Sequence, residues 1–222
     1  MKKILLWTMT AALCAGQGIV AQQKAAAAPA PQQQMEYNQK TWSPEDAQRI
    51  VQQVRHELLS LTNYGVFDSL SFSIQGKSIV LRGYASRPTL KSDAERAVKK
   101  IQGVTSVINQ IKVLPNSPFD DRIRVGVYTR IYGNAALRKY TGSPVGFGMF
   151  PSVARAAGGI TQDPPQGYHA IHIIVNNGHV ILTGVVNNES DANIAFMQAN
   201  STPGAFSVDN DLMWPGAAPK EK

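Results

Sequence analysis

The chain repeats itself. Gly103-Val104-Thr105-Ser106-Val107-Ile108-Asn109-Gln110-Ile111 returns, about a hundred residues later, as Gly204-Ala205-Phe206-Ser207-Val208-Asp209-Asn210-Asp211-Leu212. The same displacement pairs Leu81-Arg82-Gly83 with Leu182-Thr183-Gly184 and Ala94 with Ala195, and each copy carries a glycine turn ahead of its strand, Gly76-Lys77 and Asn177-Gly178. A shared order of turn, strand, helix, glycine and strand is one supersecondary unit used twice. Its period exceeds that of the common solenoids, so it predicts tandem small domains, each with its own core. A chain of 222 residues, 43% of them hydrophobic, can supply two such cores, although domains this small keep a limited stability margin.

The first unit is expected over 43–115. Ser43 is an N-cap, Pro44 takes the first helical position, and Asp46 stands in the capping-box place. Ala47, Ile50, Val51, Val54, Leu58 and Leu61 then recur at helical spacing. Leu70, Phe72 and Ile74 alternate with Ser69, Ser71 and Ser73, the signature of a strand with one dry and one wet face. Ile79-Val80-Leu81 returns after the turn, and Gly83 marks a place where a side chain would obstruct the sheet exit or a neighbouring helix. A helix over 88–101 is stopped by Gly103 as a left-handed C-cap, and a strand over 105–114 completes the unit.

The second unit is expected over 118–214. Asp120-Asp121 opens a helix with Ile123, Val127 and Ile131 on one face, Gly133-Asn134 breaks it, and 135–140 adds a short further helical turn. Residues 141–167, rich in Gly and Pro, form an insertion outside the repeat and are expected to be dispensable for folding but not for binding. The repeat resumes with strands over 171–175 and 180–186 around Gly178, a helix over 189–199, and a strand over 206–214 that follows Gly204.

Lys2-Lys3, an apolar run from Ile4 through Ala15, and the small-residue step at Val20-Ala21 follow the order of a secretory signal peptide over 1–21. The run is shorter than the roughly 20 residues a bilayer span needs, though an uncleaved anchor is the alternative reading. Leu13 stands before Cys14 where a lipobox has a small residue, so lipidation is not expected. Cleavage after Ala21 would leave a mature chain without cysteine, which suits a bacterial periplasm better than a disulfide-stapled secreted domain. Residues 22–42 read as a Gln/Ala/Pro tether and 215–222 as a disordered tail.

Catalytic chemistry finds little support. His169 and His172 would point to opposite faces of an extended segment, a poor metal geometry, and no nucleophile elbow is present. No catalytic, metal or cofactor residue is assigned. Charge carries more. Of the formal net charge of +7, the first unit holds most, with ten Lys or Arg against six acidic residues over 44–114, whereas 118–222 balances at eight against eight. A basic surface suits anionic partners, and no nucleic-acid motif is found. Lys91, Glu95 and Lys99 can equally pair along a solvated helix face.

The candidate contact residues lie on the second unit's opening helix and beyond it: Arg122, Arg124, Tyr128, Arg130, Tyr132, Arg138 and Lys139, with Phe147 and Phe150 in the insertion. Val125, Tyr128 and Tyr132 make a second apolar stripe on the helix, and tyrosines flanked by arginines suit a headgroup boundary. The competing explanation packs that stripe under the insertion or against the first unit.

Both halves resemble BON domains, the bacterial OsmY and nodulation module of exported bacterial proteins. The likeness rests on Leu81-x-Gly83 with Gly103-Val104-x-Ser106-Val107-x-Asn109. In the second copy it rests on Val180-x-Leu182-x-Gly184-Val185-Val186 with Gly204-x-x-Ser207-Val208-x-Asn210-x-Leu212. The longer insertion and Pro203-Gly204-Ala205 depart from the family pattern. The resemblance implies two tandem α/β sandwiches of αββαβ order, each with a mixed three-stranded sheet and its helices on one face. It also implies a binding function, most often phospholipid at the cell envelope. The expectation is an exported, periplasmic, non-enzymatic protein that binds anionic phospholipid membranes. The alternative is a protein–protein adaptor that uses the aromatic stripe to hold an envelope partner.

Overall fold

The computed structural model describes residues 41–142, 159–161 and 163–217. The expected leader with Cys14, nearly all of the tether, and Phe147 and Phe150 of the insertion lie outside these residues.

Helix α1 (Pro44–Leu59) starts where the Ser43 hydroxyl accepts the Asp46 amide at 3.1 Å and Pro44 occupies a first-turn position that needs no donor. Its apolar face buries Ile50, Val54 and Leu58. Strand β1 (Ser69–Gln75) pairs antiparallel with β2 (Ser78–Ala85), and helix α2 (Pro88–Lys99) then leads into β3 (Ser106–Asn109) and β4 (Lys112–Val113), both parallel to β2. The single strand expected over 105–114 is therefore in two pieces, parted at Gln110 and Ile111 just after Asn109. The Asn109 side chain turns inward, donating to the Lys91 carbonyl at 2.9 Å and to Glu95 at 3.1 Å, while its oxygen accepts the Ile111 amide at 3.2 Å. Both pieces keep one register on β2, with Leu81 opposite Asn109 and Tyr84 opposite Lys112.

The second domain repeats the order. Helix α3 (Pro118–Gly133) begins at the Ser117 N-cap, ahead of Asp120. Only Arg138–Tyr140 of the stretch after it is helical, as a 3-10 turn. Strand β5 (Ile171–Asn176) runs antiparallel to β6 (His179–Val185); helix α4 (Glu189–Asn200) crosses over, and β7 (Ser207–Met213) lies parallel to β6. Each domain is thus a mixed sheet with two helices against it, the α/β architecture expected.

The repeat is exact enough to align atoms. Gly83 faces Leu70 across the β1–β2 ladder as Gly184 faces Ile171 across β5–β6. Their φ angles are +114° and +123°, and a Cβ at either would sit 2.0 Å from a carbonyl oxygen, of Ser69 or Ala170. Only glycine fits both the dihedral and the approach.

The cores are not independent. The first buries Ile50, Val54, Leu58, Ile79, Leu81, Leu90, Ala94 and Val98. The second buries Ile123, Val127, Ile131, Ile171, Ile173, Val180, Leu182 and Ala195, and also Val66 and Phe67, which belong to the first domain's α1–β1 connection. Val66 accepts the Ile173 amide at 2.8 Å, and His172 donates its Nδ1 proton to the Gly65 carbonyl at 3.2 Å. Thr183 donates to Ser69 at 3.0 Å.

The described end of the insertion corrects the expectation of a dispensable loop. Ile160 is buried in the second core, and the Thr161 hydroxyl donates to Asp121 and accepts from Arg124. Arg87 of the first domain donates to the Thr161 carbonyl through Nε and Nη2.

Candidate binding surface

Helix α3 is where contact was expected, and it is buried on more than one face. Tyr128, Tyr132 and Arg124 are 2%, 0% and 0% exposed, so the contact role expected of them is corrected. The physical reason is that the second core wraps the helix from two sides. Tyr132 donates to the Ile171 carbonyl at 2.6 Å and accepts the Ile171 amide at 3.2 Å, and burial pushes its phenol well above the usual range. Tyr128 meets Phe67 edge-on, with ring centroids 6.4 Å apart, and its hydroxyl lies 3.2 Å from His169 Nε2. The aromatic stripe is therefore core packing, and the adaptor that would use it has no accessible stripe.

Arg124 is a structural cation. It donates to Asp121 at 2.7 Å, to Thr161 at 2.9 Å and to the Val175 carbonyl at 2.8 Å, tying α3, the insertion and β5 together. Asp120, also buried, accepts the amides of Asn177 at 3.0 Å and Gly178 at 2.8 Å and so holds the β5–β6 turn against the start of α3. Buried charges persist in this way when they are paired and hydrogen-bonded.

Arg122, Arg130, Arg138 and Lys139 remain on the surface. Lys139 lies 2.7 Å from Asp191, which also accepts from Tyr140 at 2.6 Å. Burial opposes ionisation of Asp191, but the Lys139 and Tyr140 bonds outweigh it and hold the carboxyl below its ordinary value. That cation is engaged in capping its own domain.

The exposed apolar feature of this domain is instead a pair of phenylalanines that residue-pattern reading passed over. Phe206 is 72% exposed and Phe119 38%, with ring centroids 5.9 Å apart. The Arg122 guanidinium lies 5.9 Å over the Phe119 ring, and the His179 ring meets Phe206 at 6.2 Å. Phe119 stands in the first turn of α3, Phe206 just before β7, and the Asn177-Gly178 turn beside them. A Cβ on Gly178 would come within 2.6 Å of the Phe206 ring, so glycine is what lets the ring lie across the turn. The available signal was the repeat itself: Phe206 replaces Thr105, and the residue two beyond the Ser117 cap is Phe119 where Glu45 follows Ser43.

Among the described residues no cluster of three or more His, Cys, Asp or Glu is placed to hold a metal ion, and no described helix is long and apolar enough to cross a membrane. His169 donates from Nδ1 to the Gly167 carbonyl at 3.0 Å and accepts from Tyr128, so its two nitrogens serve packing.

Comparison with known proteins agrees with this architecture. No curated protein matches the sequence. Two solved structures of CdsD, a structural protein of the type III secretion system of Chlamydia trachomatis, align at 15% identity. They cover 74% of this chain and 96% and 91% of their own, with TM-scores of 0.24 and 0.23, too low to carry an argument. The model of the BON domain matches residues 45–115 and 157–215, one stretch in each domain and together more than half of the sequence. BON domains are in general non-catalytic binding modules, and no enzyme family is matched. With two αββαβ units, their paired glycines and these two matches, the chain belongs to the BON-domain family.

Proposed function

We propose that the protein is exported to the periplasm and binds reversibly to anionic phospholipid at an envelope membrane, with contact made through the Phe119–Phe206 tip. One observation carries the reading. Two large apolar rings stand side by side in solvent at a loop end of the second domain, with a guanidinium over one of them. Rings of this kind enter the acyl boundary, and a flanking arginine stays with the phosphates. The equivalent corner of the first domain has Glu45 and Thr105, so the tip is a property of one copy. The basic excess of the first domain adds long-range attraction, about 1 kcal/mol for each Lys or Arg that comes near an anionic surface.

Co-sedimentation with anionic and zwitterionic vesicles at two salt concentrations tests this. The native chain is expected to sediment with anionic vesicles and less so at high salt. The Phe119→Ser/Phe206→Ser double variant, still folded by circular dichroism, should lose most of that binding. Binding unchanged in the double variant would remove the tip, and no binding by the native chain would remove the membrane.

A further inference from the structure

The groove between α1 and β1 of the first domain is open where its sister in the second domain is closed, and the way the sister is closed indicates what fits. The groove measures 710 Å³ and is lined by Val51 and Leu58 of α1, Leu70, Phe72 and Ile74 of β1, and Arg55 at its wall. Met213 of the second domain stands at its margin. Leu59 and Ile74 are 62% and 40% exposed there. In the second domain α3 packs directly on β5, whereas α1 packs chiefly on α2 and stands off β1. Counting from the Ser43 and Ser117 caps, Val54 and Leu58 occupy the places of Tyr128 and Tyr132, so the first domain has smaller side chains there, Leu58 lining the groove and Val54 buried in the core.

The second domain's β5 edge is occupied. The Val66-Phe67 pair inserts beside Ile171 and Ile173, the Val66 carbonyl takes the Ile173 amide, and Phe67 packs on Tyr128. Phe72 is the repeat equivalent of Ile173, and the two-residue period of a strand turns its amide to the same outer edge. β1 is the edge of its sheet, pairing with β2. Among the described residues no carbonyl takes the Phe72 amide as Val66 takes that of Ile173. The strand, Ser-Leu-Ser-Phe-Ser-Ile-Gln, has no charge and no proline, the devices by which sheet edges are normally kept unpaired.

We infer that the α1–β1 groove docks a turn of a partner protein that presents an adjacent aliphatic and aromatic residue, seated on the β1 edge as the Val66-Phe67 turn is seated on β5. A carbonyl of that turn would take the Phe72 amide, and the groove would receive the aliphatic side chain and the ring. An acidic residue next to the pair would meet Arg55, which makes no salt bridge among the described residues. This surface is separate from the Phe119–Phe206 tip and does not depend on it.

The protein supplies its own probe. A synthetic peptide of residues 63–69, Asn-Tyr-Gly-Val-Phe-Asp-Ser, is titrated into the isotope-labelled full chain and followed by amide shifts. Saturable shifts confined to β1 and the facing side of α1 are expected. They should weaken at least tenfold in Ile74→Arg and Leu59→Arg, two exposed positions that leave the cores intact, and vanish for the peptide with Phe replaced by Ser. No shifts, equal shifts with a scrambled peptide, or shifts elsewhere overturn the inference. So does concentration-dependent self-association abolished by Ile74→Arg, which would make a second copy the occupant. Vesicle binding lost in Ile74→Arg would likewise overturn it, by making lipid the occupant.

Discussion

The Val66 carbonyl, in the first domain, accepts the amide of Ile173, in the second, at 2.8 Å, and it does so at the edge of the second sheet. This bond and the Phe67 ring beyond it make the second core a joint product of both copies. A repeat of this kind usually signals autonomous units. Here one unit has given the other its last two core residues.

Phe67→Ala therefore tests the coupling. Truncating a fully buried phenylalanine costs about 3–5 kcal/mol. The loss should fall on the second domain although the residue belongs to the first. In denaturant, the native chain is expected to unfold in one transition seen alike by probes in both domains. In the variant, the second-domain probe should report first. Coincident transitions in the variant would show that the other contacts hold the domains together without Phe67.

Asn109 and Asn210 give a matched pair. Asn210 donates to the Ala192 carbonyl at 3.2 Å and accepts the Leu212 amide at 3.2 Å, the same circuit that Asn109 closes on Lys91 and Ile111. Alanine at either should cost about 1–3 kcal/mol, the penalty for leaving buried partners unsatisfied. Gly83→Ala and Gly184→Ala should each cost at least about 1–3 kcal/mol from the dihedral alone, with the carbonyl clash in addition. Urea midpoints of the four variants check this. A large effect in one copy and none in the other would mean that the matched geometry is not matched in energy.

Much of this was legible in the sequence, and the part that was not has a physical cause. The order of elements, the glycine turns and the α1 cap depend on neighbours in the chain, so spacing and residue type reveal them. Arg124, Tyr128 and Tyr132 were misplaced because amphipathic patterning assumes that one helix face is buried. Helix α3 is enclosed on both sides, by its own sheet and by Phe67 and Ile160, which come from elsewhere in the chain. An arginine reads as a surface residue unless its partners are known, and only Asp121 lies within helical reach; Thr161 and Val175 do not. The Phe119–Phe206 pair escaped for the converse reason, since two residues far apart in sequence make a patch only once the fold joins them.

The insertion offers a direct test of that misplacement. Replacing 142–166 by a short Gly-Ser linker removes Ile160 and Thr161, leaving Arg124 with fewer partners inside the core. Unpairing a buried charge costs about 3–5 kcal/mol, and the vacated Ile160 site adds a cavity penalty. The second domain should lose its cooperative transition. Ile160→Ala alone should retain the fold with a cost of about 2–5 kcal/mol. A linker variant as stable as the native chain would show that the insertion is not part of the core.

Two histidines, His169 and His172, are expected to make the fold acid-sensitive. Burial lowers the His169 pKa from the ordinary 6.5 to about 4, against the opposing bond to Gly167, and nearby His172 adds to the lowering. Burial lowers His172 as well. A histidine whose folded pKa is depressed binds its proton more readily when unfolded. Its contribution is therefore complete above pH 6.5 and is lost as pH falls toward 4, at up to about 1.4 kcal/mol per pH unit for one such group. Protonation would also end the acceptor role of Nε2 toward the Tyr128 hydroxyl. Asp191, with its carboxyl held below the ordinary range by Lys139 and Tyr140, loses its contribution only at lower pH, as it protonates in the folded state. Chemical denaturation from pH 7 to pH 4 should thus show stability falling first through the histidine window. His169→Gln, which cannot titrate there, should flatten the curve while lowering its plateau. An unchanged slope in that variant would assign the acid sensitivity to His172 or to the carboxylates, and the Tyr128–His169 contact would then be packing without a pH consequence.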